Sequence, residues 1–357
     1  MTRKSYKIAV YPGDGIGVEV TVEAVKVLKA AEKVFGFALE MTSFDWGVAH
    51  WRRTGEVVPG DFLKTLQSFD AILLGALGAP AELPDHVTLK PLIQMRQGFE
   101  QYVCLRPAKL LPGVKTPLAG KRPGDIDLMV VRENSEGEYV SAGGRFKAGT
   151  PDEVAAETAI HTRKGVERIL RYAFALADSR RRGLVMATKS NALKHSMVMW
   201  DEVFEAVRGD YPAVKAERFH VDALSMMFVA RPEKFDVVVG SNLFGDILSD
   251  LAGGIVGGLG LLPSANINPE KAFPSLFEPV HGSAPDIAGK GIANPIGAIR
   301  AAAMMLDFLG EKTAAAAVEH AALDSLAAGQ ALTPDLGGTA RTQDTGSDVA
   351  GRVRRAG

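Results

Sequence analysis

Cysteine is nearly absent from this chain of 357 residues; Cys104 stands alone. A single thiol excludes an internal disulfide and any cysteine-rich metal site. Neither sign of charge is in excess, with 41 Lys and Arg against 42 Asp and Glu and a formal net charge of −1. That balance removes the electrostatic basis for binding nucleic acid or an anionic membrane surface. No apolar run approaches the length of a membrane span. The opening stretch "MTRKSYKIAVYPGDG" passes from a short polar head directly into a strand pattern, so no secretory leader is expected. These absences predict a cytoplasmic globular protein, and its length predicts two domains or lobes rather than one core.

What is present is an alternation of short apolar runs and amphipathic helices. "KIAVYPG" (7–13), "DAILLGA" (70–76), "DLMVVREN" (127–134), "LVMATKSN" (184–191) and "FDVVVGSN" (235–242) read as buried strands ending in turn or polar residues. Val20, Ala24, Val27, Leu28, Ala31 and Phe35 form one helical stripe; Val166, Ile169, Leu170, Ala173 and Leu176 form another. The alternation predicts an α/β fold. Residues 137–160 do not fit it and read as an excursion or arm. Residues 309–329 read as an Ala-rich helix, followed by a Gly- and Thr-rich tail.

Polar residues gather where predicted strands end, the place open α/β sheets put their sites. Arg132, Glu133 and Asn134 follow this pattern, as do Lys189, Ser190 and Asn191, and Ser241 and Asn242. In "NLFGDILSD" (242–250), Asp246 and Asp250 stand four residues apart, a turn apart on one helix face. Like charges so placed repel, and no Lys or Arg occurs between Asp236 and Lys271 to pair with them locally. Asp222, in "HVDALSMMF", begins another predicted helix. Three carboxylates without His or Cys suit a hard ion such as Mg²⁺ or Mn²⁺. Arg96, Arg106 and Arg132 are candidates for holding carboxylates, since the guanidinium fork matches them in bidentate fashion. Tyr139 and Lys189 are candidate proton carriers. "PGDGIG" (12–17) lacks the G-x-G-x-x-G spacing of an ordinary dinucleotide fingerprint. "GGIVGGLGLL" (253–262) reads as flexible or closely packed. In the long loop 278–294, Asp286 stands among neutral residues, able to accept from a ribose diol and to repel a 2′-phosphate.

Taken in order, "PGDGIG", "LRPAKLLPG" (105–113), "VVRENSEGEY" (130–139), "ATKSN" (187–191), "NLFGDILSD" with "GGLGLLPSA", and "EPVHGSAPDIAGKGIANP" (278–295) resemble the β-decarboxylating dehydrogenases, the isocitrate and isopropylmalate dehydrogenase group. The resemblance covers nearly the whole chain and is strongest toward the tartrate/D-malate branch. It implies a two-lobed isopropylmalate dehydrogenase-like α/β fold with open sheets flanked by helices and a central cleft, not a G-x-G-x-x-G Rossmann domain. Residues 1–104 and 257–357 would form a large NAD-binding lobe. Residues 105–256 would form a small lobe carrying the dimer interface and the 137–160 arm. Arg96, Arg106 and Arg132 would hold substrate carboxylates, with Leu89, Lys90 and Asn191 near the substrate. Asp246 and Asp250 would meet Mg²⁺ or Mn²⁺ in one subunit, while Lys189 and Asp222 enter from the other; a monovalent cation such as K⁺ is compatible. NAD would lie along His281, Gly282, Ser283, Ala284, Asp286 and Ile287, with Asn294 against adenine and Ile16 and Leu259 nearby. The implied reaction is oxidative decarboxylation of a (2R)-2-hydroxy diacid by a homodimer with shared active sites.

One stretch departs from the branches of this family. "VTLKPLIQM" (87–95) carries Leu89, Lys90 and Pro91 where tartrate/D-malate enzymes tend to have a Trp-Gly-Ser-like run. Lys90 is then either a solvated side chain or a cation for an extra substrate anion. D-malate, tartrate, isopropylmalate and bulkier 2-hydroxy diacids all stay open. A non-catalytic regulatory homologue is the contrasting reading, and the presence of Tyr139, Lys189, Asp222, Asp246 and Asp250 argues against it.

Overall fold

The computed structural model describes residues 4–356, so the first three residues of the polar head and the final glycine lie outside it. Strands β1 (Ser5–Gly13), β2 (Ala38–Ser43), β3 (Ala71–Ala76), β4 (Val103–Lys109), β5 (Asp127–Glu133) and β6 (Gly143–Phe146) occupy the first half. β7 (Val154–Glu157), β8 (Gly183–Thr188), β9 (Lys215–His220), β10 (Val237–Gly240), β11 (Pro263–Ile267) and β12 (Ser275–Pro279) follow. Ten of them form one sheet in the order β2-β1-β3-β12-β11-β4-β5-β10-β8-β9. The predicted open sheets are therefore one continuous sheet. Its wings are parallel, whereas β12, β11, β4 and β5 pair antiparallel in the middle. Helices cover both faces, which is why β3 and β10 are buried at every residue and read as unbroken apolar runs.

All five predicted strands are present as β1, β3, β5, β8 and β10, and the two helical stripes lie on Ile16–Phe35 and Arg163–Ser179. Strand ends are shorter than expected. Ser241 and Asn242 do not end a strand but cap and begin the helix Asn242–Ile255, the Ser241 hydroxyl accepting from the Phe244 N–H. Glu278 and Pro279, read as loop, belong to β12. Gly253 is closely packed: a Cβ there would meet Leu262 at 2.5 Å. The Gly- and Thr-rich tail leads into a helix, Thr342–Arg355.

Residues 137–160 do leave the sheet. Gly137 and Ile160 exchange backbone hydrogen bonds at their base, and β6 and β7 form a separate antiparallel ribbon that is exposed along its length. Among the described residues no helix is long and apolar enough to cross a membrane.

Candidate active site

The site forms on one face of the antiparallel middle of the sheet. Arg106 lies within β4 and Arg132 near the end of β5, where Cys104 pairs with Arg132 and Arg106 with Val130. The helix Asn242–Ile255 crosses above them. Gly245 permits this approach, because a Cβ at that position would sit 2.6 Å from the Arg132 Cβ. The next residue of the helix, Asp246, thus reaches the arginines. Arg132 Nε and Nη2 donate to Asn242 Oδ1 at 2.9 and 2.7 Å, and its Nη1 donates to Asp246 Oδ1. Arg106 Nη1 donates to Asp246 at 3.0 Å, to Ser249 Oγ at 2.8 Å and to Asp250 at 3.3 Å.

The two aspartates are therefore not without ion pairs, as their neighbourhood in sequence suggested. Their counter-ions come from strands more than a hundred residues earlier in the chain. Burial by itself would raise the Asp246 carboxyl, but the charges of Arg132, Arg106 and Arg96 outweigh it and hold its pKa below the ordinary value. Asp250 goes the other way: burial, with the Asp246 charge added, outweighs Arg106 and raises it. Arg132 is 2 % exposed, and burial together with the Arg106 and Arg96 charges lowers its pKa to about 10. It still carries its charge at neutral pH.

Tyr139 joins the same cluster, its hydroxyl donating to Asp246 Oδ2 at 3.1 Å while the Arg132 guanidinium stands 5.3 Å from its ring centre. Burial and the Asp246 charge raise its pKa, so the hydroxyl keeps its proton across the neutral range. Arg96, on the helix Lys90–Gly98, pairs with Glu278 at 3.1 Å; the buried Met95 anchors that helix beneath it. Arg96, Arg106, Leu89, Leu92, Glu278, His281 and Gly282 line one cavity. The Nε of Arg96 and of Arg106 are buried and lack a protein acceptor. Lys90 is exposed and does not line this cavity.

Lys189, just past β8, donates to Asp222 Oδ1 at 2.8 Å, and this bond holds the Asp222 carboxyl below its ordinary pKa. Asn191 is exposed two residues further on. Among the described residues no three His, Cys, Asp or Glu side chains gather closely enough to hold a metal ion. Within one chain, then, Asp222 does not join Asp246 and Asp250.

The loop after β12 is docked onto the first helix. The Ile16 N–H donates to the Ser283 carbonyl at 2.8 Å, the Gly289 N–H donates to Glu19, and the Thr342 N–H donates to the Gly291 carbonyl. Gly15, at φ 56°, lies so near that a Cβ would meet the Ser283 carbonyl oxygen at 2.1 Å. "PGDGIG" is thus a packing device. Asp14 completes it by accepting from the Val48 and Gly78 N–H groups at 2.7 and 3.0 Å. Burial lowers the pKa of His281, whose Nε2 has no partner. Ala284 and Ile287 bracket a turn, with Asp286 exposed upon it. Asn294 accepts from the Ile296 N–H at 3.0 Å and donates to Asp335 at 2.9 Å, next to the segment Leu259–Leu261.

The isocitrate/isopropylmalate dehydrogenase family pattern matches residues 7–349. The chain belongs to this family. It is 51% identical to the D-malate dehydrogenase [decarboxylating] of Escherichia coli K12, with 99% of each chain aligned. It is 47% identical to the tartrate dehydrogenase/decarboxylase of Pseudomonas putida, covering 99% of this chain and all of that one. Among solved structures, the isocitrate dehydrogenase of Methylococcus capsulatus superposes with a TM-score of 0.88 at 37% identity, over 98% of this chain and 99% of that one.

As a member of the isocitrate/isopropylmalate dehydrogenase family, the chain brings Arg96, Arg106, Arg132, Tyr139, Asp246 and Asp250 to one place. Sequence reasoning missed Glu278, Ser249, Asn266 and Glu19, which hold those residues or the loop after β12. Glu278 stands beside His281 in a recognisable motif, so its place was available. Asn266, in "PSANI", offered no signal beyond one amide in an apolar run.

Proposed function

We propose that this protein is a divalent-metal-dependent, NAD-linked decarboxylating dehydrogenase of a (2R)-2-hydroxy diacid, with D-malate converted to pyruvate and CO2. The observation that carries this reading is the convergence of buried Arg106 and Arg132, with Tyr139, on Asp246, while Arg106 and Arg96 line a cavity that reaches His281. The identity to a D-malate dehydrogenase adds to it.

Arg96, Arg106 and Arg132 hold the two carboxylates and orient the diacid. An all-oxygen donor set of Asp246, Asp250 and the partner subunit's Asp222 suits Mg²⁺ or Mn²⁺. The bound groups supply hydride acceptance at the nicotinamide and neutralisation of charge at the 2-oxygen. Lys189 takes the proton of the 2-hydroxyl as that carbon is oxidised. The carboxylate β to the new carbonyl leaves as CO2, and Tyr139 delivers a proton to the carbon it vacated.

We read the enzyme as a homodimer with shared sites, because among the described residues of one chain Asp222 does not join Asp246 and Asp250 in a metal-binding cluster. Met226, Val229 and Ile247 support it: they are 65%, 47% and 53% exposed on the two helices that carry Asp222 and Asp246. In this reading residues 1–104 and 257–357 form the NAD lobe and 105–256 the dimer lobe with its arm. A second substrate reading has its own support. Leu74, Leu77, Leu89 and Leu92 line the cavity beside Arg96, an apolar wall suited to a branched substituent such as that of 3-isopropylmalate. NADH formation with Mn²⁺ and a panel of D-malate, tartrate, 3-isopropylmalate and isocitrate tests both. The highest kcat/KM is expected for D-malate; full activity in EDTA, or no turnover of any diacid, refutes the proposal.

NAD⁺ is expected to be preferred over NADP⁺ by at least about a hundredfold in kcat/KM, about 2.7 kcal/mol. Asp286 is exposed on the loop and Ile287 offers no cation, so a 2′-phosphate would meet like charge and no hydrogen-bond partner. Asp286→Lys combined with Ile287→Tyr should move the preference toward NADP⁺. Comparable kcat/KM for both cofactors in the unaltered protein would show that this loop does not read the ribose.

A further inference from the structure

We propose that Asn266 is a positioning residue for diacid recognition, orienting the Arg96 guanidinium through Glu278 and tying it, through Asn134, to the strand that carries Arg132. The proposal rests on the reading of this site as that of a diacid dehydrogenase.

Asn266 sits inside β11 with no exposed surface. Its neighbours Ala265 and Ile267 line a groove on the opposite face of the sheet, so Asn266 alone of the three turns toward the site. There it lies opposite Cys104 of β4 and Leu276 of β12. An amide buried among such neighbours is tolerated only when it is hydrogen-bonded. Both of its ends are used. Nδ2 donates to Glu278 Oε1 at 2.8 Å, and Oδ1 accepts from Asn134 Nδ2 at 2.8 Å. Glu278 Oε1 accepts also from Arg96 Nη2 at 3.1 Å, and Asn134 Nδ2 donates also to the Gln101 carbonyl at 3.1 Å. Arg96, Glu278, Asn266 and Asn134 thus form a relay in which no member is more than 7% exposed.

The relay matters for recognition because Arg96 is weakly tethered. Its Nε has no acceptor, and among the described residues the bond to Glu278 is the only hydrogen bond its side chain makes to the protein. Glu278 is itself held in place by Asn266. Without that amide the carboxylate is free to turn, and the guanidinium turns with it, away from the geometry in which it meets a carboxylate with two N–H groups. At its far end the relay reaches Asn134, two residues after Arg132. The spacing between two of the three diacid-holding arginines is therefore set across β12, β11, β4 and β5 by side chains as well as by the backbone ladder. Asn266 does not line the substrate cavity, so it acts through Glu278 and Arg96.

Steady-state kinetics and calorimetry on the full-length enzyme with Mn²⁺ test this. Asn266→Ala should raise the KM for D-malate about tenfold, the effect of one hydrogen bond to a charged group, with kcat and the KM for NAD⁺ within about twofold. Asn266→Asp, which sets a second carboxylate against Glu278, should raise the D-malate KM further. D-malate titrated calorimetrically without NAD⁺ should show the same loss of affinity. A merely structural role would lower the active fraction, and with it kcat, while leaving both KM values in place. If Asn266→Ala does not fold, Asn134→Ala cuts the relay one bond further out and should raise the D-malate KM by about threefold. An unchanged D-malate KM in the folded variants overturns the inference alone. A wild-type enzyme that reduces NAD⁺ with none of the diacids overturns the functional reading beneath it.

Discussion

Asp246→Asn is expected to reduce turnover by about a thousandfold or more and to destabilise the fold at the same time. The carboxylate receives Arg132, Arg106 and Tyr139 together, and an amide offers neither its charge nor its second acceptor oxygen. Removing one partner from a buried ion pair costs about 3–5 kcal/mol when nothing compensates. Here Arg132 keeps Asn242 and Arg106 keeps Ser249 and Asp250, so a loss of about 1–3 kcal/mol is expected. Asp250→Asn should lose a comparable share of activity with little change in stability. Its carboxylate is 53% exposed and makes one ion pair at 3.3 Å, a contact in the surface range of about 0–1 kcal/mol. Urea unfolding measured beside NADH formation and Mn²⁺ titration therefore separates the metal role from the structural one.

The pH dependence has a definite sign. The folded pKa of Asp246 is depressed, so the stability it contributes is fully present above the unfolded carboxylate value of about 4. That contribution is lost as pH falls through the folded value. The stability gap between wild type and Asp246→Asn should accordingly be complete at neutral pH and close in acid. A gap that widens in acid would overturn this ion-pair account of Asp246, and either mutant retaining full activity would remove that residue from the proposed metal site.

If Lys189 is the base that takes the hydroxyl proton, as proposed, Lys189→Met should lower turnover by about a thousandfold. Tyr139→Phe should chiefly slow the protonation that follows. Lys189 contacts Asp222, whereas Tyr139 contacts Asp246, and among the described residues no hydrogen bond or ion pair joins the two pairs. In a shared-site dimer, a Lys189→Met protomer paired with a Tyr139→Phe protomer rebuilds one intact site out of two. Unfolding and reassociating an equal mixture should then restore about a quarter of wild-type activity, since half the dimers are mixed and each has one good site. No recovery in a mixture whose dimers are shown to have reformed would count against shared sites.

How much of this was legible depended on which forces shaped each element. β3 and β10 announce themselves because both faces are buried and the runs are continuously apolar, and β1, β5 and β8 do so by their apolar centres. β4, β11 and β12 do not, since "LRPAK", "PSANI" and "SLFEP" carry Arg106, Asn266 and Glu278, polar residues that obscure a strand pattern while facing the site. The edge strands β2 and β9 are too polar to register as apolar runs at all. The Asp246–Asp250 spacing was readable because helical periodicity is local. The order of the motifs pointed to the family.

The amino-acid sequence by itself determined the helix that sets Asp246 and Asp250 on one face, and the residue types able to bind a diacid and a dinucleotide. Only the tertiary structure decided what surrounds those acids. Their arginine counter-ions lie 140 and 114 residues away along the chain, on strands whose antiparallel pairing carries no short-range signal. Local spacing follows from backbone geometry over a single turn. Charge neutralisation inside a low-dielectric site depends on distance in space, and that is settled only when the sheet closes up and Gly245 lets the helix down onto Arg132.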